Sequence, residues 1–269
     1  MEQRVVLITG GSSGIGKAIG TYLKAKGFKV YGTTRSKHNY PGFNDFNLLE
    51  LDVCEPPTIK TAVEEVISRE GQIDILINNA GIGITGPIEE TPHKEILKAF
   101  ETNLHGPIHV IKAVLPYMRR RGSGLIINIT SIAGYMGLPY RGIYSSSKGA
   151  LGLITEALRM ETKSFGVHIT NLAPGDFATN IAAGRYHSPI GEVSPYKEGY
   201  GNTLQMINEH VDKGGDPDMV ARKVLQIIRT RKPKVHYKVG SPMQKFSLVL
   251  KRLLPDKVYE RLLLNHYKL

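Results

Sequence analysis

The chain has 269 residues, 41% of them hydrophobic and 22% charged, which is enough apolar side chain to build a full core and excludes a disordered polymer. Its single cysteine, Cys54, excludes an internal disulfide and a four-cysteine metal site. The net charge of +11 is confined to one end: residues 1–221 carry 22 basic and 22 acidic side chains, whereas residues 222–269 carry 13 basic ones against Asp256 and Glu260. A neutral body with a basic tail does not make the continuous basic surface of a nucleic-acid binder. No apolar run approaches the ~18 residues of a membrane span. Met1-Glu2-Gln3-Arg4 runs straight into Val5-Val6-Leu7-Ile8 without a signal peptide, so a cytoplasmic protein is expected.

Short β-branched or apolar runs predict strands at 5–9, 29–33, 47–52, 73–78, 124–130 and 167–172. Helix-length stretches lie between them at 15–26, 57–70, 91–121 and 144–165, the third expected to be broken by Pro107 and Pro116. This alternation predicts an α/β fold, a doubly wound parallel sheet with helices on both faces. Residues 1–269 read as one catalytic domain, with a polar, Tyr- and Gly-rich lobe at 176–215 and a basic amphipathic tail at 235–269.

Thr9-Gly10-Gly11-Ser12-Ser13-Gly14-Ile15-Gly16 follows the first strand and opens the first helix. Gly10 permits the tight turn, Gly14 lets a pyrophosphate approach the backbone, and Gly16 allows close helix packing. Gly10-x-Ser12-x-Gly14 also fits a hydrolase nucleophile elbow, but it stands at the first strand with no oxyanion segment nearby. An NAD site places an acid ~20 residues past the glycines, and this chain has none between Glu2 and Asp45. Arg35 and Lys37 stand there instead, with Ser12, Ser13 and Thr34 as further donors, which predicts the 2′-phosphate of NADP(H).

Tyr144 and Lys148 lie four apart on a predicted helix and so share a face. A tyrosine serves as an acid or base near neutral pH only when a neighbouring cation stabilises its phenolate, and Lys148 is placed to do so. Ser131, at the end of a strand, can donate a hydrogen bond to a carbonyl oxygen. His105 and His109 are also four apart, but no third metal ligand accompanies them.

The ordered set Thr9–Gly16, Asn78-Asn79-Ala80-Gly81, Asn103, Ser131, Tyr144, Lys148 and Pro174-Gly175-x-x-x-Thr179 resembles the short-chain dehydrogenase/reductase family over about residues 1–180. The resemblance implies a Rossmann sheet of about seven strands. It implies Tyr144 as the acid that protonates the carbonyl oxygen, Ser131 as its orienting donor, Lys148 as the group tuning Tyr144 and holding ribose, and Asn103 as the link from Lys148 toward solvent. It also implies that Asp52 and Val53 frame adenine, that Asn79, Ala80 and Gly81 line the cofactor cleft, and that Pro174, Gly175, Phe177 and Thr179 hold the nicotinamide end beside Ile15. A homodimer or homotetramer is expected.

In this family the segment before the catalytic tyrosine and the lobe line the substrate pocket, here bringing Tyr135, Met136, Ile181 and Tyr186 beside Ser131 and Tyr144. Their character suits a hydrophobic carbonyl compound. In the tail, Met243, Phe246, Val249, Leu250, Leu253 and Leu254 recur at helical spacing among Lys245, Lys251 and Arg252. The stripe is expected to pack on the protein and cap the pocket, leaving a basic rim for peripheral membrane contact. The reading is an NADPH-dependent reductase of a lipophilic ketone or aldehyde such as 3-ketosphinganine. A steroid- or retinoid-type alcohol dehydrogenase working oxidatively and a non-catalytic NADP(H)-binding scaffold stand as alternatives.

Overall fold

The computed structural model describes residues 3–177, 184–212 and 214–269. The chain runs through β1 (Val5–Ile8), α1 (Gly14–Ala25), β2 (Lys29–Thr34), β3 (Asn47–Glu50), α2 (Pro56–Glu70) and β4 (Ile75–Asn78). A two-residue β5 (Ile84–Thr85) precedes α3 (His93–Phe100) and α4 (Gly106–Arg121), and β6 (Gly124–Ile129), α5 (Gly142–Glu161) and β7 (Val167–Pro174) follow. Then come β8 (Tyr186–His187), α6 (Lys197–Asp212), α7 (Asp218–Arg229), β9 (His236–Val239), α8 (Pro242–Leu253) and α9 (Asp256–Tyr267).

Seven strands form one sheet in the order β3-β2-β1-β4-β6-β7-β9, every pair parallel. This is a Rossmann-like α/β fold. The central strands Val5–Ile8 and Ile75–Asn78 are buried along their whole length, because helices cover both faces of a parallel sheet. On one face Ile19 and Leu23 of α1 pack with Val220, Val224 and Ile227 of α7. On the other, Ile59, Val63 and Val66 of α2 meet Val110, Val114 and Met118 of α4. Strand order reverses between β1 and β4, and the crevice beyond the carboxyl ends of such strands is where doubly wound sheets bind ligands.

Two expectations are corrected. The seventh strand, β9, lies inside the stretch read as a helical tail; it is a short edge strand pairing Asn171–Pro174 with His236–Val239 and carries too little hydrophobic alternation to declare itself. The helix expected to break at Pro107 and Pro116 instead stays helical throughout, with Pro116 inside α4. Residues Glu101–His105 widen into a π-turn, with the Gly106 amide bonded five residues back to Glu101. The extra residue in the turn absorbs the missing N–H and the ring of Pro107, so the chain continues into α4.

Candidate active site

The glycine loop turns sharply between β1 and α1, with Gly10 and Gly14 at φ +66° and +53°, in the left-handed region that side chains disfavour. Gly16 is required by contact: a Cβ there would sit 2.2 Å from Gly10 O and 2.5 Å from Asn79 Nδ2. Asn79 ties the loop together, its Nδ2 donating to Thr9 O and Gly10 O at 3.0 Å each. Thr9 Oγ1 accepts from the Asn79 and Ala80 amides, also at 3.0 Å. Ser13 opens α1 without a side-chain cap, so the first amides of the helix remain donors for an anion. The residues fit a dinucleotide.

Arg35 projects from the end of β2, exposed and pairing with no described residue. Lys37 donates its backbone amide to Glu50 Oε2 at 3.2 Å, and its side chain is exposed. Asp52 turns its own loop, Oδ1 accepting from the Cys54 amide at 2.9 Å, and Val53 is buried beside Gly106. Burial pushes the Cys54 thiol up, which suits a packed side chain better than a nucleophile.

The π-turn delivers Asn103 to the site. Its Oδ1 accepts from the Ile82 amide at 2.9 Å, and its Nδ2 donates to Ile82 O at 3.0 Å and Ser147 Oγ at 3.2 Å. Lys148, on the buried face of α5, donates from Nζ to Ile129 O at 3.2 Å. Burial pushes its ammonium down to about 8. Gly81 stands between the two: a Cβ there would lie 3.0 Å from both Asn103 Oδ1 and Lys148 Nζ. Ser131 caps a short 3₁₀ turn, its Oγ accepting from the Ala133 amide at 3.1 Å. Tyr144 sits one turn before Lys148, and the Arg141 guanidinium lies 5.4 Å from its ring centroid.

Ser131, Tyr144 and Lys148 line a small cavity of about 70 Å³ at the sheet's carboxyl edge, together with Ile15, Asn79, Gly81, Pro174, Gly175 and Phe177. A second cavity of about 600 Å³, mostly apolar, adjoins it and shares Ser131, Arg141, Gly175, Asp176 and Phe177. Met136, Ile207, Leu250, Leu262 and Leu263 are among its walls, so α8 and α9 roof it. The tail is seated by Gln244. Its backbone amide bonds Ser241 Oγ, its Oε1 accepts from the Ser241 amide, and its Nε2 donates to Asp176 Oδ2 at 2.8 Å. A Cβ on Gly175 would overlap Gln244 Oε1, so the glycine next to Pro174 also makes room for the tail.

Some expected residues stand elsewhere. Tyr135 does not line either cavity; its hydroxyl pairs with His236 Nδ1 at 3.1 Å and faces Asn171, tying the 3₁₀ turn to β7 and β9. Burial, seconded by Glu156, pushes its phenol up to about 12. Tyr186 pairs with Ile84 in the small β5–β8 ladder and is also absent from both linings. Thr179 and Ile181 lie outside the described residues. His105 and His109 contact each other edge-on, and no cluster of metal-ligating side chains occurs among the described residues. The tail's apolar stripe does not pack wholly on the protein as expected: four of its six residues face outward, Met243 at 78% and Leu253 at 73% exposed, with Phe246 and Val249 beside them. Sequence reasoning missed Gln244, Asp176 and Arg185; a Ser-x-x-Gln capping box at 241–244 was the one available signal.

The short chain dehydrogenase family matches residues 4–189. The chain is 37% identical over 261 residues to a 3-ketodihydrosphingosine reductase of Bacteroides thetaiotaomicron, covering 97% of this chain and 96% of that protein. It is 32% identical over 282 residues to an NADPH-dependent 3-dehydrocapnine reductase of Ornithobacterium rhinotracheale, covering 98% of each. The crystal structure of a short-chain dehydrogenase from Streptomyces avermitilis superposes with a TM-score of 0.82 at 32% identity, over 99% of this chain and 96% of that one.

Proposed function

This chain belongs to the short-chain dehydrogenase family, and from that premise we propose that it is an NADPH-dependent reductase of a long, lipid-like ketone or aldehyde. The observation that carries the reading is the apolar cavity of about 600 Å³ meeting the Ser131, Tyr144 and Lys148 end of the cleft. A volume in this range holds a ligand of lipid or steroid size and far exceeds what a small acid needs. The relatives whose names specify 3-ketodihydrosphingosine and 3-dehydrocapnine support a 3-keto lipid, with 3-ketosphinganine as one specific candidate.

The α1 amides with Ser12 and Ser13 would hold the pyrophosphate, Arg35 the 2′-phosphate, Asp52 and Val53 the adenine side, and Pro174, Gly175 and Phe177 the nicotinamide end. Thr179 is placed there by the family pattern alone. Bound in this cleft, the cofactor supplies the hydride. Tyr144 gives its phenolic proton to the carbonyl oxygen, Ser131 orients that oxygen by donating a hydrogen bond, and Lys148 stabilises the phenolate left behind. Asn103 holds the Ile82 segment and Ser147 so that Lys148 keeps its position. Ile82, Ile84 and Phe177 on the walls would limit water around the reacting carbonyl.

Residues 1–269 would act as one catalytic domain, because the tail completes the cavity wall. A homodimer or homotetramer would bury the outward face of α5, where Leu153 and Met160 are exposed seven residues apart. The outward part of the α8 stripe, flanked by Lys245 and Arg252, would touch an anionic bilayer that supplies the substrate to a cytoplasmic enzyme. No described helix is long and apolar enough to cross a membrane.

The test is NADPH consumption by the purified protein over a panel of long-chain 3-ketolipids, steroids and sugars. Turnover concentrated on the ketolipids is expected; turnover on sugars alone, or none on any carbonyl compound, would overturn the reading.

A further inference from the structure

The smaller cavity contains a cation that the reduction chemistry does not use. Arg185, just before β8, lays its stem across Gly83, where a Cβ would meet its Cγ at 3.0 Å; the absent side chain at 83 admits it. Arg185 lines the cavity with Ser131, Tyr144 and Lys148, and its Nη1 is buried without a hydrogen-bond partner among the described residues. A buried guanidinium donor left unpaired is costly, and guanidinium does not escape the cost by losing its proton.

Among the described residues, the charged side chains lining the cavity with it are Lys148, Arg141 and Asp176. Arg141 borders both cavities, lies over the Tyr144 ring and faces the Tyr267 hydroxyl from α9. Asp176 is the one carboxylate lining the cavity, and its Oδ2 already accepts from Gln244. Two guanidinium groups and the Lys148 ammonium thus share the cavity with a single, engaged carboxylate among the described residues. Desolvation and the neighbouring Arg141 both hold Arg185 below the ordinary guanidinium value, as befits a cation short of counter-charge. The other anion expected in the cleft, the pyrophosphate, falls to the α1 amides, and Arg35 stands at the far end of β2.

Resting on the ketone-reductase reading above, we propose that Arg185, with Arg141 beside it, forms an anion subsite next to the reacting carbonyl. The subsite extends the substrate class to a long-chain ketone bearing a sulfonate, phosphate or carboxylate a few bonds from its carbonyl, used in preference to one with a hydroxyl there, as in 3-ketosphinganine. The alkyl chain enters the larger cavity, and the anionic oxygens pair with the Arg185 and Arg141 guanidinium groups in charge-assisted hydrogen bonds.

The experiment compares two long-chain 3-ketones that differ only at C1, one carrying sulfonate and the other hydroxyl, in wild type, Arg185→Gln, Arg185→Lys and Arg141→Gln. In parallel, octane-1-sulfonate and octan-1-ol are bound to the enzyme–NADPH complex and followed by nicotinamide fluorescence. The wild type is expected to favour the sulfonate tenfold or more in kcat/KM. Arg185→Gln should lower that ratio at least tenfold, and Arg185→Lys should restore part of it. Octane-1-sulfonate should bind the wild-type complex more tightly than octanol and compete with ketone.

Equal use of the two ketones would overturn the anion subsite while leaving the ketone-reductase reading standing. If neither ketone is reduced, that reading falls, and the fluorescence comparison decides the subsite by itself. An Arg185→Gln effect confined to the NADPH dissociation constant, or competition of the sulfonate with NADPH, would assign Arg185 to the cofactor and overturn the proposal. Should Arg185→Gln fail to fold, the wild-type ratio and the Lys variant carry the same decision.

Discussion

Gln244 of α8 donates its side-chain amide to Asp176 Oδ2 at 2.8 Å, joining the tail to the segment that follows Pro174-Gly175 at the carboxyl end of β7. The same side chain completes the capping box of α8, so one residue both starts the helix and seats it over the cavity. Gln244→Ala removes both functions. Unfolding should show a loss of about 1–2 kcal/mol, the sum expected for a cap and one partly buried hydrogen bond. Turnover of a long-chain ketone should fall more than that of a short one, because the loosened roof belongs to the chain-binding cavity. Equal loss on both would show that the contact serves stability alone.

On the proposed reading, Arg35 sets the cofactor choice. With no described partner, its guanidinium is available to a 2′-phosphate. Arg35→Ala should raise KM for NADPH roughly ten- to hundred-fold, corresponding to ~1.5–3 kcal/mol for a charge-assisted contact, with a much smaller change for NADH. Parallel changes for the two cofactors would remove the assignment.

Tyr144→Phe keeps the ring over which Arg141 lies and deletes only the hydroxyl. NADPH should still bind, by fluorescence titration, while kcat drops by ~100-fold or more. Full activity would mean that another group supplies the proton.

Burial pushes Lys148 down to about 8, whereas an unfolded chain releases that proton near 10.5. Between these values the unfolded state holds a proton that the native state has lost, so this group makes the apoenzyme more stable as pH rises through the window. Below about pH 8 both states are protonated, and the native state bears the full cost of the buried charge. Lys148→Met should therefore be stabilising below pH 8, on the order of a few kcal/mol, with the gain shrinking toward pH 10.5. Denaturant midpoints across this range check it; a constant offset between wild type and variant would contradict it.

Much of the fold and of the site is legible in the sequence. Six of the seven sheet strands announce themselves because Val5–Ile8 and its neighbours are short apolar runs closed by turn residues. Tyr144 and Lys148 share a face because four residues make about one helical turn. The glycine loop is readable because left-handed turns and close approach leave few other residues possible. β9 was not legible, since His236–Val239 is an edge strand whose partner, β7, is far away in sequence. Tyr135 looked like a pocket residue because aromatics before the catalytic helix can turn either way; the hydrogen bond to His236 turns it toward β9. The outward part of the α8 stripe shows the limit of helical periodicity, which finds an apolar face but does not say whether protein or solvent meets it. Arg185 carries no motif at all, and only the missing partner of its buried Nη1 draws notice.

If the apolar cavity beneath α8 and α9 holds the chain of the ketone that Tyr144 protonates, chain length governs turnover, and kcat/KM for NADPH-driven reduction of a homologous series of straight-chain ketones measures this. Each buried methylene contributes ~0.8 kcal/mol, so kcat/KM should rise about fourfold per carbon until the cavity is filled and then level off. A series that stays flat or falls with chain length would contradict the account.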